Sequence, residues 1–371
     1  MNLMTRRHFA QLSAFALADA HLSASSQSGN NASPTAPRRV GFAPVGLGSI
    51  AEVFMGAVAK TPNARLTGLV TGHPVEKGTK FAAQFDVPKD SIYTYETFDG
   101  IRHNTAIDAV YIALPNSMHC EYTVRAAEAG KHVLCEKPMA ISSAECRRMI
   151  DACQHAKVKL MTAYRIHFDA TFRKVRDLVR SGAFGEVQAF QGGFYGMKNK
   201  QQWRLDRSLA GGGSLLDLGI YPLNTIRWIT GEEPAEYRAF VATRDKGPKF
   251  ASVEESVDWL MKFPSGILAN CGSSYGQSGT DFLQINGSTG HVRIEPAFVY
   301  GDAVLKYTGT TSSGDISGGG PVYNPDQFVS ETTYFADCVL NNTQPSTPGQ
   351  EGLADLLAIE AIYKAAGAPI A

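Results

Sequence analysis

The 371-residue chain has no excess of charge of either sign, with Lys plus Arg and Asp plus Glu at 35 each. A neutral balance gives no electrostatic footprint for nucleic acid or an anionic membrane surface, so neither is expected as a partner. No run of eighteen apolar residues occurs, which excludes an ordinary spanning helix. The six cysteines (Cys120, Cys135, Cys146, Cys153, Cys271 and Cys338) form no CxxC pair, and no histidine cluster has metal spacing. No metal is expected, and the thiols read as plain buried groups. What the chain does have is length and 44% hydrophobic content, enough for two ordinary domains.

The N-terminus differs in kind. MNLMTRRHFAQLSAFALADA pairs Arg6 with Arg7, continues weakly apolar, and reaches Ala18-Asp19-Ala20, a small-residue cleavage pattern. This predicts a twin-arginine export signal and a periplasmic protein; the alternative is a disordered cytosolic tail. His21 to Pro37 is rich in Ser, Asn, Ala and Pro, cannot build a core, and reads as an arm.

From Arg39 strands and helices alternate. Strands are expected at RVGFAPV, with Pro44 awkward inside it, and at 66–71, 109–114, 132–135 and 159–164. Helices are expected over 51–60, 75–85, 119–129, 143–156 and 169–181. That alternation implies βαβ units and a parallel sheet. Past residue 165 the strands lengthen and alternate polar with apolar residues, the pattern of a mostly antiparallel sheet. Residues 308–321 read as a flexible polar loop, and 351–366 as a closing amphipathic helix. The expected α/β architecture is therefore an arm (1–37), a Rossmann dinucleotide-binding domain (38–163), and an α+β domain with a large open antiparallel sheet (164–371).

Gly46-Leu47-Gly48-Ser49-Ile50-Ala51 follows the first strand and opens a helix. The first glycine permits the turn, the second lets backbone approach a pyrophosphate, and Ala51 allows close helix packing. An NAD site would carry an acid at the second strand's tip. Here that tip reads Thr71-Gly72-His73, with Lys77 next, and a hydroxyl plus a cation suit a 2′-phosphate. NADP is therefore the expected cofactor. LCEKPMA puts Lys137 at another strand tip, where ligands bind in such sheets, and Pro138 restricts its backbone.

GLGSIA, IALPNSMH (112–119), AGKHVLCEKPMA (129–140) and AGGGSLLDLGIY (210–221), in this order, resemble the glucose–fructose oxidoreductase/inositol dehydrogenase family from about Arg39 to the last helix. YETFDGI, LMTAYRIHFD, QQWRL and GEEP resemble its periplasmic glucose–fructose and aldose–aldose branch. The resemblance implies that Tyr221 is the acid/base and that Lys137 and Asp217 assist it, in a DxxxY where many relatives have DxxxH. A free tyrosine has a pKa of about 10, and a nearby ammonium favours its phenolate. By the same resemblance Leu114, Pro115, Asn116, His119 and Glu136 line the cofactor. Tyr164 and Arg165 look like sugar-hydroxyl donors, and Trp203 and Arg204 are expected to form a stacking wall and a polar clamp for a pyranose, with Arg165, Trp203 and Arg204 also near the cofactor. His167 reads equally well as structural.

The branch further implies a homo-oligomer, a dimer or tetramer, in which the arm folds over the adenine end of an NADP that is never released. An aldose oxidised at C1 and a second sugar would then alternate on it. An ordinary NADP-dependent aldose dehydrogenase and a non-catalytic sugar- or NADP-binding protein are the rival readings. Within AGGGSLLDLGIY, Ser214 is expected to cap a helix. The glycines are expected to pass close to nicotinamide and sugar, and Gly219 and Pro222 to distort the turn so that Asp217 and Tyr221 share one pocket.

Overall fold

The computed structural model describes residues 37–300, 303–311, 313–321 and 326–368. The export signal and nearly all of the arm lie outside the described residues.

The first sheet contains β1 (Val40–Val45), β2 (Ala64–Leu66), β3 (Leu69–Val70), β4 (Ile92–Tyr93), β5 (Ala109–Ile112), β6 (His132–Glu136) and β7 (Leu160–Ala163). All pairs are parallel, in the order β4-β3-β1-β5-β6-β7, with β2 also on β1. Both faces are covered, which is why β1, β5 and β7 are buried at every position. The covering helices include α1 (Ser49–Lys60), α2 (Thr79–Phe85), α3 (His119–Glu128) and α4 (Ser143–His155).

The strand expected at 66–71 is two short ones, and the break explains Pro44. Phe42 O accepts from Thr67 N and Gly46 N donates to Val70 O, so even-numbered residues of β1 point toward β2 and β3. The N–H that Pro44 lacks would face the gap between those strands, where no ladder bond is lost.

A second unit of structure follows, with α5 (Ala170–Arg180), β8 (Val187–Tyr195), α6 (Arg207–Ala210), α7 (Ile220–Thr230), β9 (Glu236–Ala242), β10 (Ser256–Lys262), β11 (Leu268–Ser274), β12 (Thr280–Gly287), β13 (His291–Ile294), β14 (Val304–Thr311) and β15 (Gly314–Pro321). Its sheet runs β15-β14-β13-β12-β8-β11-β10-β9, antiparallel except between β8 and β11. Alternation is clean in β10, where Val257, Trp259 and Met261 are buried while Asp258, Leu260 and Lys262 face out. The buried side packs on α5, α7 and α9 (Gly349–Ala365).

The described residues of 308–321 are no loop: 308–311 complete β14 and 314–321 form β15, paired from Val304↔Pro321 to Thr311↔Gly314. Backbone ladder bonds hold this hairpin. Gly318 makes room for the Tyr307 ring, which a Cβ there would approach to 2.6 Å. Small side chains gave no alternating signal to read.

α8 (Gln327–Leu340), which the sequence pattern did not suggest, returns to the first sheet. Its Phe335 and Ala336 pack with Phe42, Phe54 and Tyr111. α9 joins both cores, with Leu356 in one and Ile359, Ile362 and Tyr363 in the other. The chain after residue 164 therefore contributes to both layers of the molecule. All six cysteines are free and buried, as expected.

Candidate active site

A cleft of about 950 Å³ opens along the C-terminal tips of β1, β3, β5 and β6 and is closed on its far side by the second sheet and the start of α7. At its floor α1 starts just after Gly48, an N-cap with no side-chain cap bond, and Gly48, Ser49 and Ile50 line the cleft. Gly46 has φ +88°, and a Cβ there would stand 2.8 Å from Ala113 O. At Gly48 a Cβ would meet nothing within 4 Å, because it points into open space. This cradle fits a dinucleotide phosphate. Gly48→Ala is accordingly expected to leave the melting temperature of ligand-free protein unchanged. It should raise the Kd for NADP by roughly tenfold or more, measured by titration. An unchanged Kd would mean the phosphates lie elsewhere.

Leu47, Ser49, Ile50, Thr71, Lys77, Leu114, Pro115 and Asn116 line the cleft as expected, and His73 and Tyr95 join them. Lys77 Nζ donates to Leu47 O at 3.4 Å, so the lysine stands beside the phosphate turn. Gly72 is absent from that wall; its Cα faces the Tyr95 ring, 3.1 Å from where a Cβ would be. His119 touches the cleft, but its ring nitrogens face Leu114 O and Pro138 O at 2.9 and 3.0 Å. Burial holds its pKa below the usual value, and the ring sits between these two backbone carbonyls. Asn116 likewise spends its amide on Ala210 O.

The chemistry concentrates at Asp217. Its carboxylate lies 3.6 Å from Lys137 Nζ, 3.3 Å from Arg204 Nε and 3.7 Å from Lys198 Nζ, and accepts from the Tyr275 hydroxyl at 3.0 Å. Burial alone would raise its pKa. The three cations and the phenol outweigh burial and hold the carboxyl well below its usual value. Lys137, on a cis peptide to Pro138, also donates to Asp217 O at 2.8 Å. Its Nζ sits 4.5 Å from the centre of the Tyr221 ring. Lys137, Asp217 and Tyr221 thus converge on one wall, with Trp203 and Arg204 at its rim. Glu136, half-buried, lines the cleft beside them, accepting from Tyr111 OH at 2.5 Å and from Lys137 N at 3.2 Å.

AGGGSLLDLGIY folds differently from expectation in two respects. Ser214 makes no cap; its hydroxyl donates to Ser273 O. The glycines crowd protein rather than ligand. A Cβ at Gly213 would lie 2.1 Å from Glu254 O, and one at Gly212 would lie 2.6 Å from Tyr363 OH. The buried Glu254 carboxylate accepts from Gly213 N and Leu215 N, doing the cap's work. Distortion is present: Leu215–Gly219 is a π-turn before α7, placed where Pro222 offers no N–H to the preceding turn.

Of the two expected sugar donors, Tyr164 is turned away, whereas Arg165 lines the cleft. Tyr164 is buried and donates to Asp355, which also binds Asn224 and Arg227. His167 joins this network through Asn224 Oδ1 at 2.8 Å, and burial lowers its pKa to about 3, a structural histidine. Arg165 commits its guanidinium to Gln327, Val299 O and Phe298 O. Phe194, Lys198, Phe298, Val299 and Tyr300 line the cleft without having been foreseen, and Tyr275 buttresses Asp217 behind it. Tyr275 and Lys198 stand after strands whose pairing brings them to Asp217, and no local pattern marks them.

An uncapped phosphate cradle facing a lysine, a carboxylate and a phenol defines a dinucleotide-dependent oxidoreductase. The chain belongs to the Gfo/Idh/MocA oxidoreductase family. Residues 40–164 match the oxidoreductase family, NAD-binding Rossmann fold, and 172–293 match the GFO/IDH/MocA C-terminal domain. It is similar to the D-xylose 1-dehydrogenase [NADP(+)] of Haloarcula marismortui, 35% identical over 88% of this chain and 91% of that one. It is similar too to the 1,5-anhydro-D-fructose reductase of Ensifer adhaerens, 29% identical over 87% and 95% of the two chains. Among solved structures, the aldose–aldose oxidoreductase of Caulobacter crescentus, complexed with glycerol, superposes with a TM-score of 0.85 at 40% identity, covering 89% of this chain and 98% of that one.

Proposed function

We propose that the protein is an NADP-dependent sugar oxidoreductase that oxidises an aldose at C1 to the lactone and reduces a second sugar carbonyl on the same retained cofactor. The observation that carries the reading is the meeting of Lys137, Asp217 and Tyr221 beside an uncapped α1 N-terminus, with Thr71, His73 and Lys77 but no carboxylate of that segment lining the cleft among the described residues. When bound, the nicotinamide supplies the two-electron acceptor and donor. Tyr221, as the phenolate, accepts the proton of the anomeric hydroxyl as C1 is oxidised, and the phenol so formed returns that proton to the carbonyl oxygen of the second sugar. Lys137, held by the main chain and carboxylate of Asp217, keeps positive charge over the Tyr221 ring while that proton moves. The likeness to the aldose–aldose oxidoreductase supports a reaction between two sugars.

The test is spectroscopic. Purified protein receives an aldose, with no NADP added, and the reduced-nicotinamide band should rise, then bleach when a ketose or aldehyde follows. The likeness to a D-xylose 1-dehydrogenase supports a second reading, in which the band appears only with added NADP and reduced cofactor is released. No band under either condition would remove both.

We also propose a homo-oligomer joined through the open face of the second sheet. Phe240, Leu260 and Leu268 stand exposed there on neighbouring strands, Phe240 at 82%. Phe240→Asp should convert an oligomer to monomer by light scattering; a monomeric wild type refutes this. Export by the twin-arginine route remains our reading of Arg6 and Arg7. Finding the intact, uncleaved chain in the cytosol would end it.

A further inference from the structure

The segment after β13 is built to present one side chain. Asp281, itself buried, accepts from Ala297 N at 2.5 Å and from Phe298 N. Phe298 is fully buried, with its ring 5.8 Å from Tyr221, 5.9 Å from Phe194 and 5.7 Å from Phe172. The buried Arg165 then donates to Phe298 O and Val299 O. Main chain held from below by a carboxylate, a phenyl anchor and a guanidinium has little freedom left.

What this pedestal carries is Tyr300. The residue is 64% exposed yet lines the cleft, outside the buried core. The Arg165 guanidinium lies 4.5 Å from the Tyr300 ring centre and 4.9 Å from that of Tyr221, so one cation bridges both phenols. Phe328 meets the ring edge-on at 5.6 Å. An exposed aromatic held this firmly beside the acid/base is a surface for an apolar ligand face. The phosphate cradle lies on the first domain, at Gly46 to Ile50, whereas Tyr300 belongs with Tyr221 on the second.

We infer that Tyr300 is the platform on which the C–H face of an aldopyranose packs, and that Arg165 is the positioning residue that sets Tyr300 against Tyr221. This rests on the sugar-oxidoreductase reading above. It assigns Arg165 a role through its neighbours rather than through sugar hydroxyls.

The experiment is steady-state kinetics on holoenzyme at saturating NADP with glucose or xylose, comparing wild type, Tyr300→Ala and Tyr300→Phe. Tyr300→Ala should raise the aldose KM by about tenfold while kcat changes less than about threefold, because a stacking face is lost and the acid/base remains. Tyr300→Phe keeps the ring and should restore KM. The Kd for NADP should match wild type in all three, as should the melting temperature. An unchanged KM in Tyr300→Ala overturns the inference, as does a Tyr300→Phe defect equal to that of alanine. A rise in the NADP Kd that accounts for the KM change also overturns it. A wild type that oxidises no aldose would instead sink the sugar reading itself, a result visible before either variant is made.

Discussion

Tyr221→Phe is expected to lower kcat for aldose oxidation by about a hundred- to ten-thousandfold, the usual contribution of a positioned acid/base. The variant should fold and bind NADP as wild type does. The ring is the part that packs, against Phe194 at 5.4 Å and Phe298 at 5.8 Å, and phenylalanine preserves it. The cations near it, Lys137 at 4.5 Å and Arg165 at 4.9 Å from the ring centre, keep their other partners in Asp217, Gln327 and the 298–299 carbonyls. Loss of turnover with intact cofactor affinity and melting temperature would assign the proton to the hydroxyl. Turnover within about threefold of wild type would move the acid/base elsewhere, with Tyr300 the next phenol along the wall.

How far the sequence could be read depended on whether a residue's role is local. Gly46 and Gly48 were legible because a positive φ and an open Cβ direction are demands of the turn itself. The convergence of Lys137 with Tyr221 was legible through the family's motifs, not through spacing. Tyr164 misled because its fate is set 191 residues away, by an Asp355 that also gathers Asn224 and Arg227. Separation along the chain, shorter here, also hid the true partners of the glycine run. Nothing near Gly213 announces Glu254, whose carboxylate occupies the place expected of Ser214. Pro44 was a false alarm for a related reason: its cost depends on which neighbour its missing N–H would face.

Asp217→Asn should harm both chemistry and stability, and the two losses separate by pH. The amide keeps the shape and the main-chain oxygen that binds Lys137 Nζ at 2.8 Å, so the lysine is loosened rather than released. Even so, a small misplacement at the site can cost about a hundredfold, and kcat/KM is expected to fall by roughly that much. Stability falls because Lys137, Lys198 and Arg204 are left together without a counter-charge. Breaking a buried pair from one side costs about 3–5 kcal/mol. Lys198 and Arg204 keep 25% and 33% of their side chains in solvent, which argues for the lower end, about 3 kcal/mol. The carboxyl's pKa is depressed in the fold. Its contribution is therefore full above the unfolded value of about 4, and is lost as pH falls below that value toward the folded one. Denaturant unfolding at pH 7 should show the whole gap between wild type and variant, and at pH 3 a smaller one. A gap of equal size at both values would mean that the charge of Asp217 contributes nothing to the fold. The cluster around it would then owe its arrangement to the packing of the π-turn before α7 alone.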